Sequence, residues 1–322
     1  MDSAHSNKVT IISYMIAITF IVGMITAAVM LKDNEIILPE IAAMAIAMWV
    51  YREAGWIRQP SKIFVAPTMT AVIGFMINQL HIAYAGKVIL TLALMMLFLR
   101  IIQSNLAPSI ATGLLPLVIN TNEWSFIILV FMFTFLLTLG VLAFGLNKGL
   151  EKKVKIHYKY MLVFLVLTFV WIGLCWGAGY LHLAVIPPIL VVAYESLQKP
   201  MYSGKMAFKQ GLVLTISAAV GTLLYFTIDS WILVTLLDML LMLVLSLLVG
   251  IRIPAIYAFP LLPFIFPDDI VMKLPLGTLV TCLFMFASVL MYKKVELKRT
   301  NKQTYHKRGE NSYDTKEFKS IT

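Results

Sequence analysis

The chain has little cysteine and little charge. Two cysteines occur among 322 residues, Cys175 and Cys282, and both lie inside apolar runs. They give no metal-ligand spacing and no disulfide framework. Charged residues make up 13% of the chain, against about 25% in a soluble domain. A water-soluble globular fold is therefore excluded. The apolar runs do not alternate with polar residues, which excludes a membrane β-barrel. No HExxH, GxSxG or GxxxxGK[ST] pattern is present. His5, His81, His157, His182 and His306 all fall in loops, helix ends or the tail. No cluster of Asp, His and Arg stands on one face. Neither an enzyme nor a cofactor is expected.

Hydrophobic residues make up 60% of the chain, and the mean hydropathy is +0.88. Runs of about 18 to 23 apolar residues are long enough to cross a bilayer as helices. They include 9–31, 124–146, 160–180, 231–250 and 270–292. The first run is too long for a signal-peptide core and has a weakly charged lead, so it reads as an uncleaved span. Lipid bilayer is the expected partner. The net charge of +10 comes from basic residues between the runs and in the tail. That placement sets membrane orientation and does not point to nucleic acid.

The chain also says nearly the same thing twice. Pro39, Ala71-Val72-Ile73-Gly74, Pro108 and Pro116 recur as Pro187, Ala218-Ala219-Val220-Gly221, Pro254 and Pro263, at offsets of 148, 147, 146 and 147 residues. Six apolar segments fall in each half: 9–31, 36–51, 62–79, 86–103, 106–119 and 124–146, then 160–181, 184–197, 210–227, 231–250, 254–266 and 270–292. If all twelve cross with the N-terminus inside, 23 of the 26 basic residues lie inside, leaving Lys32, Lys87 and Lys273 outside. If 106–119 and 254–266 are re-entrant, the lysines of 147–159 and 198–209 turn outward. The positive-inside rule favours the first arrangement.

The expected fold is all-α: a polytopic membrane helix bundle of two tandem, parallel repeats. It has ten long or moderate spans plus two short proline-broken segments. The first repeat is 1–146, a basic cytoplasmic linker 147–159, the second repeat 160–292, and a basic disordered cytoplasmic tail 293–322. Linker and tail are placed to meet anionic lipid headgroups. The expected location is the plasma membrane of a bacterium, with both termini cytoplasmic.

Proline removes a backbone donor and frees a carbonyl one turn back. In a membrane such groups need protein, water or a bound solute. Paired broken segments at matching places in two halves point to a transporter's central site, and kinking for packing is the alternative. The first candidate segment offers Ser104, Asn105, Pro108, Ser109 and Thr112, whose small and hydroxyl side chains suit either an anion or close helix packing. The second offers Arg252, Pro254 and Tyr257. Asp238, a turn or two inside its run, and Glu195 complete the candidate set, because an ionisable group at membrane depth costs about 2.5–3.5 kcal/mol on insertion scales. Glu40 and Lys273 lie near outer ends, where water is in reach. The first half is expected to supply backbone and hydroxyls to the site, and the second half charge.

Several of these stretches resemble the HPP family of integral membrane proteins. They are Arg58-Gln59-Pro60, Ala71-Val72-Ile73-Gly74, the run from Leu106-Ala107-Pro108 through Ser109-Ile110-Ala111-Thr112-Gly113 to Leu114-Leu115-Pro116, and Trp124-Ser125-Phe126. That family carries a Gln-Pro before a small-residue helix and a His-Pro-Pro before a Gly-Ala-Thr-Ala run. Some members are linked to nitrite transport. The likeness covers about 36–146 and, more faintly, 184–292. The family's His-Pro-Pro reads Leu106-Ala107-Pro108 here, and Arg252-Ile253-Pro254 in the second half.

The function expected from these features is a transporter or permease for a small solute at the repeat interface, an anion being one candidate. The alternative is a non-transporting accessory or scaffold factor in bacterial envelope assembly, with an oligomeric or envelope-protein partner.

Overall fold

The computed structural model describes residues 2–151 and 156–318, and these contain helices and turns with no strand. Lys152, Lys153 and Lys155 of the expected basic linker lie outside the described residues, as do residues 319–322 of the tail. The first half runs through α1 (Asp2–Leu31), α2 (Pro39–Ala45), α3 (Ala54–Ile57), α4 (Pro60–Asn78), α5 (Tyr84–Ile101), α6 (Pro108–Val118) and α7 (Ser125–Ala143). The second runs through α8 (Tyr158–Gly177), α9 (Pro187–Gln198), α10 (Gly204–Thr227), α11 (Trp231–Val249), α12 (Asp268–Val271) and α13 (Leu274–Phe318). Tight 3-10 turns over Pro254–Tyr257 and Phe259–Phe264 stand between α11 and α12.

Eight helices among the described residues are long and apolar enough to span a bilayer: α1, α4, α5, α7, α8, α10, α11 and the Leu274–Arg299 part of α13. Each keeps its backbone bonds inside the segment, as lipid demands. Each also leaves a large apolar face exposed, including Leu97, Phe131, Leu162, Phe208, Leu247 and Leu283. So extensive an apolar exterior suits acyl chains and not water. The protein is a multi-pass membrane protein.

The four remaining apolar segments differ from the expected ten long spans plus two short ones. Segments 36–51 and 184–197 are short as well. In the first, α2 continues as one π turn over Ile46–Val50. In the second, α9 has 12 residues. At 1.5 Å per residue such a helix reaches about 18 Å, well short of a 30 Å hydrocarbon core. Extended chain at Leu38 and Ile186 precedes the prolines that open α2 and α9. Proline at the first helical position loses no bond there, because that amide has no partner inside the helix.

These short segments form the middle of the molecule. Burial is unbroken over 36–49, 106–117, 184–194 and 253–264. The long helices bury one face each. A helix apolar on every side belongs inside, where neighbours and not lipid complete its contacts. Two glycine contacts hold the centre tight. A Cβ on Gly74 in α4 would stand 1.9 Å from the carbonyl oxygen of Gly113 in α6. One on Gly221 in α10 would stand 2.4 Å from the Cα of Pro260.

The polar segment from residue 293, expected to be disordered, is helical as far as Phe318. No proline follows Pro275. A helix already nucleated in its apolar part adds each further residue without a new nucleation cost. Glu296 pairs with Lys159 at 2.7 Å and Lys293 at 3.3 Å, which ties α13 to the start of α8.

Candidate functional site

A cavity of about 390 Å³ opens at one end of the bundle. Its wall is assembled from six separated stretches: Glu53 to Arg58, Asn105, His157, Val192 to Lys199, Gln210 and Arg252 to Pro254. Three cations (Arg58, Lys199 and Arg252) therefore meet two carboxylates, Glu53 and Glu195. No polar cluster was visible in the sequence, because these groups come together only through the tertiary fold.

The wall is held by side chains from both halves. Asn105 donates to Gln198 Oε1 and accepts from the Tyr194 hydroxyl at 3.0 Å. Gln210 donates to Ser196 Oγ at 3.1 Å and accepts from the Tyr202 hydroxyl at 2.6 Å. Trp56 Nε1 donates to Glu195 Oε1 at 3.0 Å. The Arg252 guanidinium lies over the Tyr51 ring, 5.9 Å from its centroid, within cation–π range. Burial raises the pKa of the Glu53 carboxyl, against the lowering influence of Lys199 and Arg252.

Deeper in lies a cavity of about 20 Å³, room for about one water. It is lined by Glu40 and Ala43 of α2, Pro108 and Ala111 of α6, Pro188, Val191, Val192 and Glu195 of α9, and Pro254, Ala255 and Ala258, with Trp56 beside them. All four central segments thus contribute their proline-led starts. Glu195 and Pro254 line both cavities. Glu40 is 5% exposed, and its Oε1 has no hydrogen-bond partner. This overturns the expectation that Glu40 reaches water at an outer end. The extended turn before Pro39 carries the start of α2 into the core, so position along the sequence misjudged its depth.

A third cavity, of about 660 Å³, is lined by Asn34, Asn78, Tyr84, Lys87, Asn120, Tyr225, Trp231 and Phe264 among others. It lies at the opposite end of α4, since Arg58 precedes that helix and Asn78 ends it. Lys87 Nζ donates to the Asn78 carbonyl at 2.6 Å. Trp231 stacks on Phe264 with centroids 4.9 Å apart.

The candidates named from sequence divide. Asn105, Pro108, Glu195, Arg252 and Pro254 line the inner cavities. Ser104, Ser109, Thr112, Asp238 and Tyr257 are buried and line neither. Ser104 Oγ accepts from the Leu106 amide at 3.4 Å, and the Thr112 hydroxyl lies 3.1 Å from that of Thr70. Ser104 and Thr112 thus spend their hydroxyls on local and helix contacts, while Ser109 Oγ is buried without a hydrogen-bond partner. Asp238 is fully buried in α11, and neither carboxyl oxygen has a hydrogen-bond partner. The charges in the cavity wall come from both halves, contrary to the expected division of labour. Arg58 and Lys199 were passed over because basic residues between the apolar runs read as orientation signals, and Glu53 was not singled out.

No protein-family model matches the chain, no curated protein matches it, and no solved structure matches it.

Proposed function

We propose that the chain is a transporter for a small anionic solute, which enters the charged inner cavity and passes between the four central broken segments. The observation that carries this reading is the inner cavity itself. Both halves build it, its cations outnumber its carboxylates by one, and it leads to the narrow cavity where the proline-led starts meet. The starts of α6 and α9 present the positive end of a helix dipole, which favours negative charge. A cavity at the far end of α4 supplies the opposite opening. The likeness to the HPP family belongs to this proposal. Purified protein in liposomes is expected to carry at least one member of a panel of sulfate, phosphate, nitrite, acetate and lactate, measured as counterflow of labelled solute. Absence of flux across the panel argues for the accessory-factor reading.

The proposal includes two parallel copies and twelve crossings. Contacts recurring at offsets of 146 or 147 residues support the duplication. Gly74 against Gly113 recurs as Gly221 against Pro260. Lys62 Nζ on the Gln103 carbonyl, at 2.7 Å, recurs as Lys209 Nζ on the Val249 carbonyl, at 2.6 Å. The Asn78 bond to the Thr121 carbonyl recurs in place as Tyr225 to Asp268. Three of the four short segments have one end near the inner cavity and the other near the outer one, as for 252–254 and 264–267. The cytoplasmic side then carries the inner cavity. A Lys148→Cys variant lacking Cys175 and Cys282 is expected to resist an impermeant maleimide in intact cells and to react once the membrane is opened. Labelling in intact cells would sink the parallel arrangement.

A further inference from the structure

We propose that Glu40 is a proton-binding site that couples solute movement to a proton gradient, an inference that rests on the transport reading. All four central segments line the narrow cavity, and Glu40 stands in its wall with Oε1 unpartnered. Its own backbone amide interacts with the carboxyl. An anionic carboxylate without a counter-ion is costly at membrane depth, so a group kept there serves binding or relay. Among the described residues, no basic side chain lines this cavity. A proton is the smallest ligand that makes the site neutral, and the space admits about one water beside it.

The elements packed around α2 add few titratable groups. Helices α6 and α7 and the Phe259–Phe264 turn have none. Among described side chains, α1 brings Tyr14, the end of the π turn Tyr51, and Pro254–Tyr257 brings Tyr257. Glu195 lines the same cavity from α9 and also opens on the inner one. It stands between Glu40 and the water of the inner cavity, which gives protons a route. While Glu40 is protonated, the four proline-led segment starts face a neutral group, and an anion can enter. Once the proton leaves, the carboxylate repels the anion. That exclusion is what coupling requires, because solute affinity must differ between the two states.

Two measurements decide the matter. First, liposome-bound protein is treated with dicyclohexylcarbodiimide, which reacts with protonated carboxyls out of water, and adducts are mapped by mass spectrometry. An adduct on Glu40 that declines as pH rises is expected. No adduct on Glu40 at acid pH, with others formed, overturns the site. Second, accumulation of whichever panel anion the protein carries is measured against an imposed pH gradient. One coupled proton changes the accumulation ratio about tenfold per pH unit. Wild type is expected to follow this ratio, and E40Q to lose it. A full gradient response in E40Q, or wild-type dependence on sodium in place of pH, overturns the proton site and leaves transport standing. Lack of flux for every anion overturns transport, and the adduct map still decides Glu40.

Discussion

Gly74→Leu is expected to abolish folded protein in detergent extracts. The Cβ alone would lie 1.9 Å from the Gly113 carbonyl oxygen and 2.9 Å from its carbon. Both are backbone atoms, so no rotamer change relieves the clash. Helix α6 would have to leave α4, and the fully buried 106–117 stretch would lose its seat. Overpacking typically costs about 1–3 kcal/mol even where side chains can adjust. Against a margin of about 5–15 kcal/mol for a whole domain, a rigid backbone clash is large. Gly221→Leu should behave alike, since its Cβ would lie 2.4 Å from the Pro260 Cα. Gly23→Leu is the control, because nothing stands within 4 Å of its Cβ position. The check is yield and monodispersity by size exclusion. A Gly74→Leu protein with the wild-type profile would refute the close approach.

The second large effect is on flux. Arg252→Glu is expected to reduce anion transport by tenfold or more while leaving the size-exclusion profile unchanged. The side chain is exposed at the cavity wall and makes its ring contact with Tyr51 from the surface. Its replacement therefore leaves no buried hole. The wall would change from one cation in excess to one carboxylate in excess. Two unit charges about 5 Å apart interact by roughly 1–3 kcal/mol at effective dielectric constants of 80 to 20, and reversal doubles the swing. Arg252→Lys keeps the charge and should retain most of the flux. Equal flux in wild type and Arg252→Glu would remove the inner cavity from the solute's path.

Glu40 and Glu195 show how much of the site could be read ahead of the structure. Glu195 was recognisable as an acid within an apolar run. Its bond from Trp56 was not, since the partners stand 139 positions apart. Glu40 was misjudged because distance along a chain measures depth only in a continuous helix, and an extended turn precedes Pro39. Asn105 and Arg252 were named for their places beside the paired prolines, and both line the inner cavity. Thr112 was named for a hydroxyl that it spends on Thr70 and the Ser109 carbonyl, and Ser109 for one that is buried without a partner.

By itself the sequence determined that this is a helical membrane protein, because lipid leaves the backbone no other way to satisfy its bonds along continuous apolar runs. It also marked the proline-broken places, since proline acts on its own local backbone. Only the tertiary structure decided which segments are central, that four of them are short, and which charges share a cavity. Those outcomes depend on contacts between residues far apart in the chain. A hydropathy pattern records how apolar each stretch is, but not which neighbour covers it.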